Sequence, residues 1–314
     1  PGGLIADKIL GQRKSVFIGG LLLCAGHLIL AYPEIWAFYA GLIFIVSGVG
    51  MLKPNISTMV GGLYPQGDER RDIGFYIFYM GINIGGFAAP ILCGWVGETY
   101  NWHYGFGLAA IGMFFGQLTY FYGQRYLVGV GDFVGKSSHP DNKLIKHKLT
   151  QVEKDRIKVL LISFLLIIIF WGAFEQAGGL MNLYAKQKTD RMLLGIEIPA
   201  SWFQSLNSFF IITLAVSVGG FWMRLKLKGK EASSLYKIAI GILIMGLGFM
   251  FMRFASSDYE VYGKSAMYWL VLAYLFHTIG ELCASPVSLS FITKLAPLKY
   301  SSSIMGLYLS LIHI

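Results

Sequence analysis

Charge is what this chain has least of. Only 14% of its 314 residues are Asp, Glu, Lys or Arg, while 55% are hydrophobic; an ordinary soluble domain carries about 25% charged residues. That shortage excludes a water-soluble globular protein. Cysteine is scarce too. Cys24, Cys93 and Cys283 all fall inside apolar runs, with no CxxC and no Cys/His spacing, so neither a disulfide framework nor a metal site is read. They read as small buried hydrophobes. Walker-type glycine loops and Ser/His/Asp arrangements are missing as well, and the common routes to an enzyme go with them. The 39 glycines instead suit close helix packing.

Residues 128–156 lack something different: they are polar, Lys-rich and without an apolar run. They read as the one long linker, separating a first half at 1–127 from a second at 157–308. A bilayer core needs about 20 apolar residues per helix. Such runs recur at 15–32, 37–62, 73–97, 103–127, 157–185, 200–223, 235–255 and 266–292, and a ninth, truncated, starts near 300. The expected fold is an all-α polytopic membrane protein.

A net charge of +9 invites a nucleic-acid reading, but the basic residues lie in the gaps between apolar runs, as membrane topology requires. Alternate gaps hold most of them, from Lys8, Arg13 and Lys14 through Arg70, Arg71 and the linker lysines to Lys226, Lys228 and Lys230. The other side holds Lys186, Lys188, Arg191, Arg253 and Lys264. The excess of Lys and Arg marks the cytoplasmic face, so 1–14 and 128–156 are placed in the cytoplasm. A short echo between GGLIADKILGQRK at 2–14 and GGFWMRLKLKGK at 219–230 suggests two related halves. Both ends look unlike those of a complete protein. The chain opens on a cytoplasmic turn without Met, and Leu309–Ile314, LSLIHI, is what the DNA of a transposon-based sequencing adapter would encode. Residues 309–314 are expected to be read-through and are set aside.

Three ionised groups sit within spans: Lys53, Glu175 and Glu281. A charge at mid-bilayer costs at least about 2.5–3.5 kcal/mol on insertion scales, so such groups face the bundle interior and find partners. A structural ion pair is the plain reading. One base with two acids, net −1, points instead to a site with one acid free to take a proton. Proline accompanies the polar groups: Lys53 precedes Pro54 and Asn55, Glu281 precedes Pro286, and Asn83 precedes Pro90. Proline frees a helix carbonyl, and freed backbone at membrane depth is tolerated where it lines a cavity. His277 lies one turn before Glu281 on the same face. It could relay a proton or simply bond within the bundle, as could His27.

These stretches resemble the proton-dependent oligopeptide transporters of the major facilitator superfamily. GGLIADKILGQRK resembles the cytoplasmic signature turn, carrying Gly3, Asp7, Gly11 and Arg13; FYIFYMGINIGGFAAP at 75–90 resembles the fifth-helix signature. FWGAFEQAGG resembles the seventh helix and GELCASPVSLSFITKLAP at 280–297 the tenth, while GMLKPNISTMVG and WFQSLNSFF fit the fourth and eighth. The resemblance implies two six-helix bundles, about nine spans of which are present, the first helix and most of the second being absent.

It also implies roles. Lys53 would bind a peptide carboxylate and pair with Glu175, which belongs to the coupling and gating machinery. Glu281, with the amides of Asn83 and Asn207, would hold the peptide ammonium, and Trp171 and Tyr308 would line side-chain pockets. Tyr308 stands where a tryptophan is frequent. The linker is too short for the two extra helices of many bacterial members. A short loop at 256–265 leaves no room for the extracellular domain of animal members. The expectation is a monomeric multi-pass protein of a bacterial inner membrane, importing di- and tripeptides with protons as the coupling ion and no cofactor. A nitrate or other small-solute symporter is the rival of the same kind; a non-transporting sensor or polytopic membrane enzyme is the rival of another.

Overall fold

A computed structural model describes residues 2–64, 70–132, 150–230, 232–295 and Tyr308. Eight long helices are found among them: α1 (Gln12–Leu30), α2 (Ile35–Gly62), α3 (Arg70–Ala89), α4 (Trp102–Gly123), α5 (Gln151–Phe174), α6 (Trp202–Leu227), α7 (Ser234–Tyr262) and α8 (Met267–Leu295). Seven of the described helices are long and apolar enough to cross a membrane. The helix outside that set is α4, which has no charged residue but whose Tyr, Trp, His and Gln content lowers its mean hydropathy. The expected ninth span, the middle of the linker (133–149) and Leu309–Ile314 lie outside the described residues, Tyr308 excepted. The chain divides into two compact units, Pro1–His139 and Pro140–Ile314.

In the first unit α1 packs along α2 and also against α4. Glycine sets the α1–α2 distance. A Cβ on Gly19 would stand 2.8 Å from the Gly48 carbonyl oxygen, and one on Gly48 2.7 Å from that of Gly19. Gly26 and Gly41 repeat this reciprocal contact two turns on, at 3.0 and 2.9 Å. Backbones can approach so closely only where no side chain intervenes. Polar groups fasten α4 to α1: Gln117 Nε2 donates to the Phe17 carbonyl at 2.9 Å, and the Leu30 carbonyl accepts from His103 Nδ1 at 3.0 Å.

Several segment ends differ from expectation. The fifth span begins at Gln151 rather than 157, because Thr150 and Glu153 form a capping box, the Glu153 amide donating to Thr150 Oγ1 at 3.2 Å and the Thr150 amide to Glu153 Oε2 at 2.8 Å. The last residues of the expected linker therefore belong to α5. Nor is this span continuous. It breaks into a 3-10 turn at Glu175–Ala177 and resumes as helix at Leu180–Lys188. The expected loop at 256–265 is mostly helix, since α7 runs to Tyr262 and ends on Gly263 in the left-handed region (φ 72°). Pro90 lies inside its span, as the expected bounds of 73–97 have it. It opens a wide π-helical stretch, Pro90–Gly94, that continues into helix Trp95–Thr99.

In the second unit α8 packs along α7 and against α6. The closest approach is again between glycines. A Cβ on Gly241 would lie 2.7 Å from the Gly280 carbonyl oxygen, and one on Gly280 2.6 Å from that of Gly241. Gly280 directly precedes Glu281, so this contact fixes the height of that acid. Gly241→Val should destabilise the protein by about 1–3 kcal/mol through overpacking, whereas Gly246→Val, whose Cβ meets nothing within 4 Å, should leave stability near that of the parent. Unfolding midpoints in detergent check both; equal midpoints for the two variants would show that the glycine contact does not set the helix spacing.

Candidate functional site

The second unit gathers its polar groups on two helix faces. Tyr274, His277, Thr278 and Glu281 are spaced i, i+3, i+4, i+7 along α8, and so share one side of it. Gln204 and Asn207 do the same on α6. Asn207 joins the two faces. Its Nδ2 donates to Glu281 Oε2 at 2.9 Å and to Thr278 Oγ1 at 3.1 Å. Thr278 Oγ1 in turn donates to the Tyr274 carbonyl at 2.8 Å. Glu281 is only 9% exposed, and among the described residues of its unit no cation pairs with it.

A third element completes the arrangement. The Tyr274 hydroxyl donates to the Ala177 carbonyl at 3.0 Å, inside the interruption that follows Glu175. A 3-10 turn leaves backbone groups without α-helical partners, and at membrane depth such groups persist where protein or a wet cavity covers them. Here they border a cleft of ≈ 170 Å³, walled by Phe174, Glu175, Gly178, Gln204, Asn207 and His277 among others. Liquid water occupies about 30 Å³ per molecule, so the cleft admits a few waters or a small charged group. Glu175 stands at its edge, exposed, with no ion-pair partner among the described residues of its unit. His277 is 1% exposed, and neither ring nitrogen has a hydrogen-bond partner. Its ring lies 4.4 Å from that of Phe249 and packs over Gly248.

Glu175 and Asn207 thus line one cleft, and Glu281 is tied to it through its bond from Asn207. The structure does not bring Trp171 or Tyr308 there. Tyr308 is 2% exposed in an apolar cluster with Leu160, Phe164 and Ile167, and Trp171 packs against that cluster. The Tyr308 ring stacks on Phe164 at 6.4 Å, and its hydroxyl lies 2.9 Å from Ser288 Oγ. Their expected place at a side-chain pocket is therefore not this one. Thr278, Tyr274 and Gln204 were not singled out from the sequence, although their helical spacing from Glu281 and Asn207 was a usable signal.

In the first unit Lys53 is exposed on α2, and its ammonium has no ion-pair partner among the described residues there. Its neighbours are absorbed by the proline. Pro54 has no N–H to give to Gly50, and Gly2 packs against that freed carbonyl, where a Cβ could not fit. Asn55 Nδ2 donates to Met51 O at 2.7 Å. Asn83 is 6% exposed, and its Nδ2 donates within its own helix to the Tyr79 carbonyl at 2.9 Å.

The signature turn is a clamp. Gly11 takes φ 77°, and its amide closes a wide turn onto Ala6 O at 2.8 Å. Arg13 then reaches Asp132 at 3.1 Å, at the start of the linker, and Gln124 Oε1 at 2.9 Å. Gly3, by contrast, has open space where a Cβ would stand, so the close approach belongs to Gly2. The side chain of Asp7 lies outside the described residues.

Comparison with known proteins follows these lines. The POT family model matches residues 13–131 and 133–314, breaking at the start of the linker. A peptide transporter of Yersinia enterocolitica is 38% identical over 372 residues, spanning 98% of this chain and 72% of the relative. That matched region is longer than the chain itself, so the relative carries inserted residues within it. The di-/tripeptide transporter of Lactococcus lactis subsp. cremoris is 31% identical, over 98% of this chain and 73% of its own length. Among solved structures, a mutant of peptide transporter POT in complex with alafosfalin superposes with a TM-score of 0.88 at 35% identity, covering 99% of this chain and 73% of that one. The chain is a bacterial membrane transporter rather than an enzyme, has the all-α fold of the major facilitator superfamily, and belongs to the POT family.

Proposed function

We propose that this protein is a proton-coupled symporter of di- and tripeptides in the inner membrane, acting by alternating access. The observation that carries the substrate reading is the carboxylate of Glu281, buried and held by an amide rather than by a cation. An amide orients a carboxylate without neutralising it. The group keeps its demand for positive charge, and the cleft lined by its partner Asn207 has room for one small cationic group. The α-ammonium of a peptide meets that demand, and peptide transporters are among the relatives. Lys53, the exposed base of the first unit, is assigned the peptide carboxylate. Recognition of the two ends leaves side chains loosely specified, hence broad specificity. A nitrate ion has no use for Glu281, which disfavours that rival.

Glu175 is assigned to coupling. It is an exposed carboxyl on an interrupted helix, poised to take a proton from the cleft, and its neutralisation would release Lys53 and open the cytoplasmic side. The working unit is taken to be the monomer, with protons as the coupling ion and no cofactor.

Glu281→Gln keeps the shape and the bond to Asn207 but removes the charge. A hydrogen bond to a charged group is worth about 1.5–3 kcal/mol, and about 1.4 kcal/mol is tenfold. Peptides with a free ammonium should therefore bind roughly ten- to a hundredfold more weakly to Glu281→Gln, while N-acetylated peptides should bind the two proteins alike. Competition binding in detergent reads this, and an equal loss for both peptide classes would remove Glu281 from ammonium recognition. Separately, Lys53→Ala in proteoliposomes should abolish dipeptide accumulation driven by a pH gradient. Accumulation at the parent level in that variant would refute the role of Lys53.

A further inference from the structure

The cleft leaves one well-formed segment unused. Between the helix Leu180–Lys188 and α6, Met192–Leu193 pairs antiparallel with Ile196–Glu197, Met192 standing opposite Glu197. The turn is Leu194-Gly195, with φ 53° and 82°, a two-residue hairpin corner that normally calls for Asn-Gly or Asp-Gly. Its base is rigid. Arg191 pairs with Glu197 at 2.6 Å and also donates to the Ile198 carbonyl, while the Met192 amide donates to Asp190 Oδ1 at 3.1 Å. Its root is fixed as well. Thr189–Asp190 runs parallel beside Ser265–Ala266, and the buried hydroxyls of Thr189 and Ser265 lie 3.3 Å apart. The root therefore sits where three span segments end, at Lys188, Trp202 and Met267, on the face opposite the linker.

The tip contrasts with its base. Between Arg191 and Glu197 every residue is apolar or glycine, and Leu194 is 96% exposed, Ile196 71%, Met192 53% and Leu193 51%. Leucine is a strained choice at a left-handed corner, where glycine or asparagine fits freely, and nothing in the described chain covers the side chain in return. In water the sequence would be wrong twice at one position. Exposed aromatic rings mark the surroundings: Trp202, Tyr262 and Tyr268 flank the hairpin at the same span ends. Such rings belong at the headgroup level of a bilayer. The tip cannot leave that neighbourhood, since four residues from Asp190 to Leu194 reach about 13 Å at most.

We propose that the hairpin tip Met192–Ile196 is a lipid contact, lying in the headgroup–acyl boundary of the leaflet opposite the linker and anchoring the outer end of the interrupted fifth span. Burial of Leu194 among acyl chains then compensates the strained corner, and the charged base stays at the water-facing side of the headgroups.

The test is Leu194→Cys, labelled with a nitrobenzoxadiazole maleimide and reconstituted in phosphatidylcholine–phosphatidylglycerol vesicles. The chain's own cysteines lie within spans, two buried and one partly buried, and the mock-labelled parent serves as the blank. A label at Lys228→Cys, on the opposite face, is the water reference. The expected result is emission at shorter wavelength than the reference, lost on adding lipids with a nitroxide high on the acyl chain and little affected by iodide. Quenching by iodide but not by lipid nitroxide would place the tip in water and overturn the proposal. Emission indifferent to both quenchers would mean that protein covers the tip, which overturns it equally.

Discussion

One hydrogen bond organises the second unit: Asn207 Nδ2 to Glu281 Oε2. A carboxylate taken from water into an apolar bundle costs several kcal/mol unless something answers it. Here the answer comes from an amide on the neighbouring helix, which also binds Thr278 and so holds α6 to α8 at one height. The same face of α8 reaches the fifth span through the Tyr274 hydroxyl and the Ala177 carbonyl. Three membrane elements are thus located by two polar contacts. Apolar packing alone could not place them so specifically, because lipid tails compete with any apolar surface on equal terms.

The other features of the unit serve that arrangement. The fifth span must open to expose a carbonyl, and it does so next to Glu175, where a 3-10 turn runs into two successive glycines. Helices α7 and α8 must approach closely enough to bury the base of Glu281, and the Gly241–Gly280 contact allows it. His277 occupies the one place along that contact where Gly248 leaves room for a ring. Its two buried, unpartnered nitrogens are the unpaid polar cost of the site.

Much of this was legible in the amino acids. Spans and linker follow from the distribution of charge, because lipid tolerates so little of it. The acids and the base stand out for the same reason, and Asn207 entered through the family resemblance. Features that depend on two segments meeting were less visible. Nothing local distinguishes Gly2 from Gly3; only the carbonyl freed by Pro54 makes Gly2 the tight position. Tyr308 has the composition of a pocket residue and the environment of a core one, since Phe164 and Ser288 claim its ring and hydroxyl. The early start of α5 was readable, in Thr150 and Glu153, but a search for apolar runs passes over a polar capping box.

The two exposed charges and the buried one can now be weighed against the plain alternative of a structural ion pair. A structural pair would satisfy its acid within the fold. Glu281 is instead satisfied by a neutral group, which fixes its position and leaves its charge uncompensated among the described residues of its unit. Glu175 and Lys53 remain exposed, each on an apolar span and each beside a departure from regular helix: the 3-10 turn in one case, Pro54 in the other. A membrane protein built only for stability has no reason to bear this cost three times. One that must bind a zwitterion and release it has reason to keep such charges oriented and within reach of a substrate or a proton.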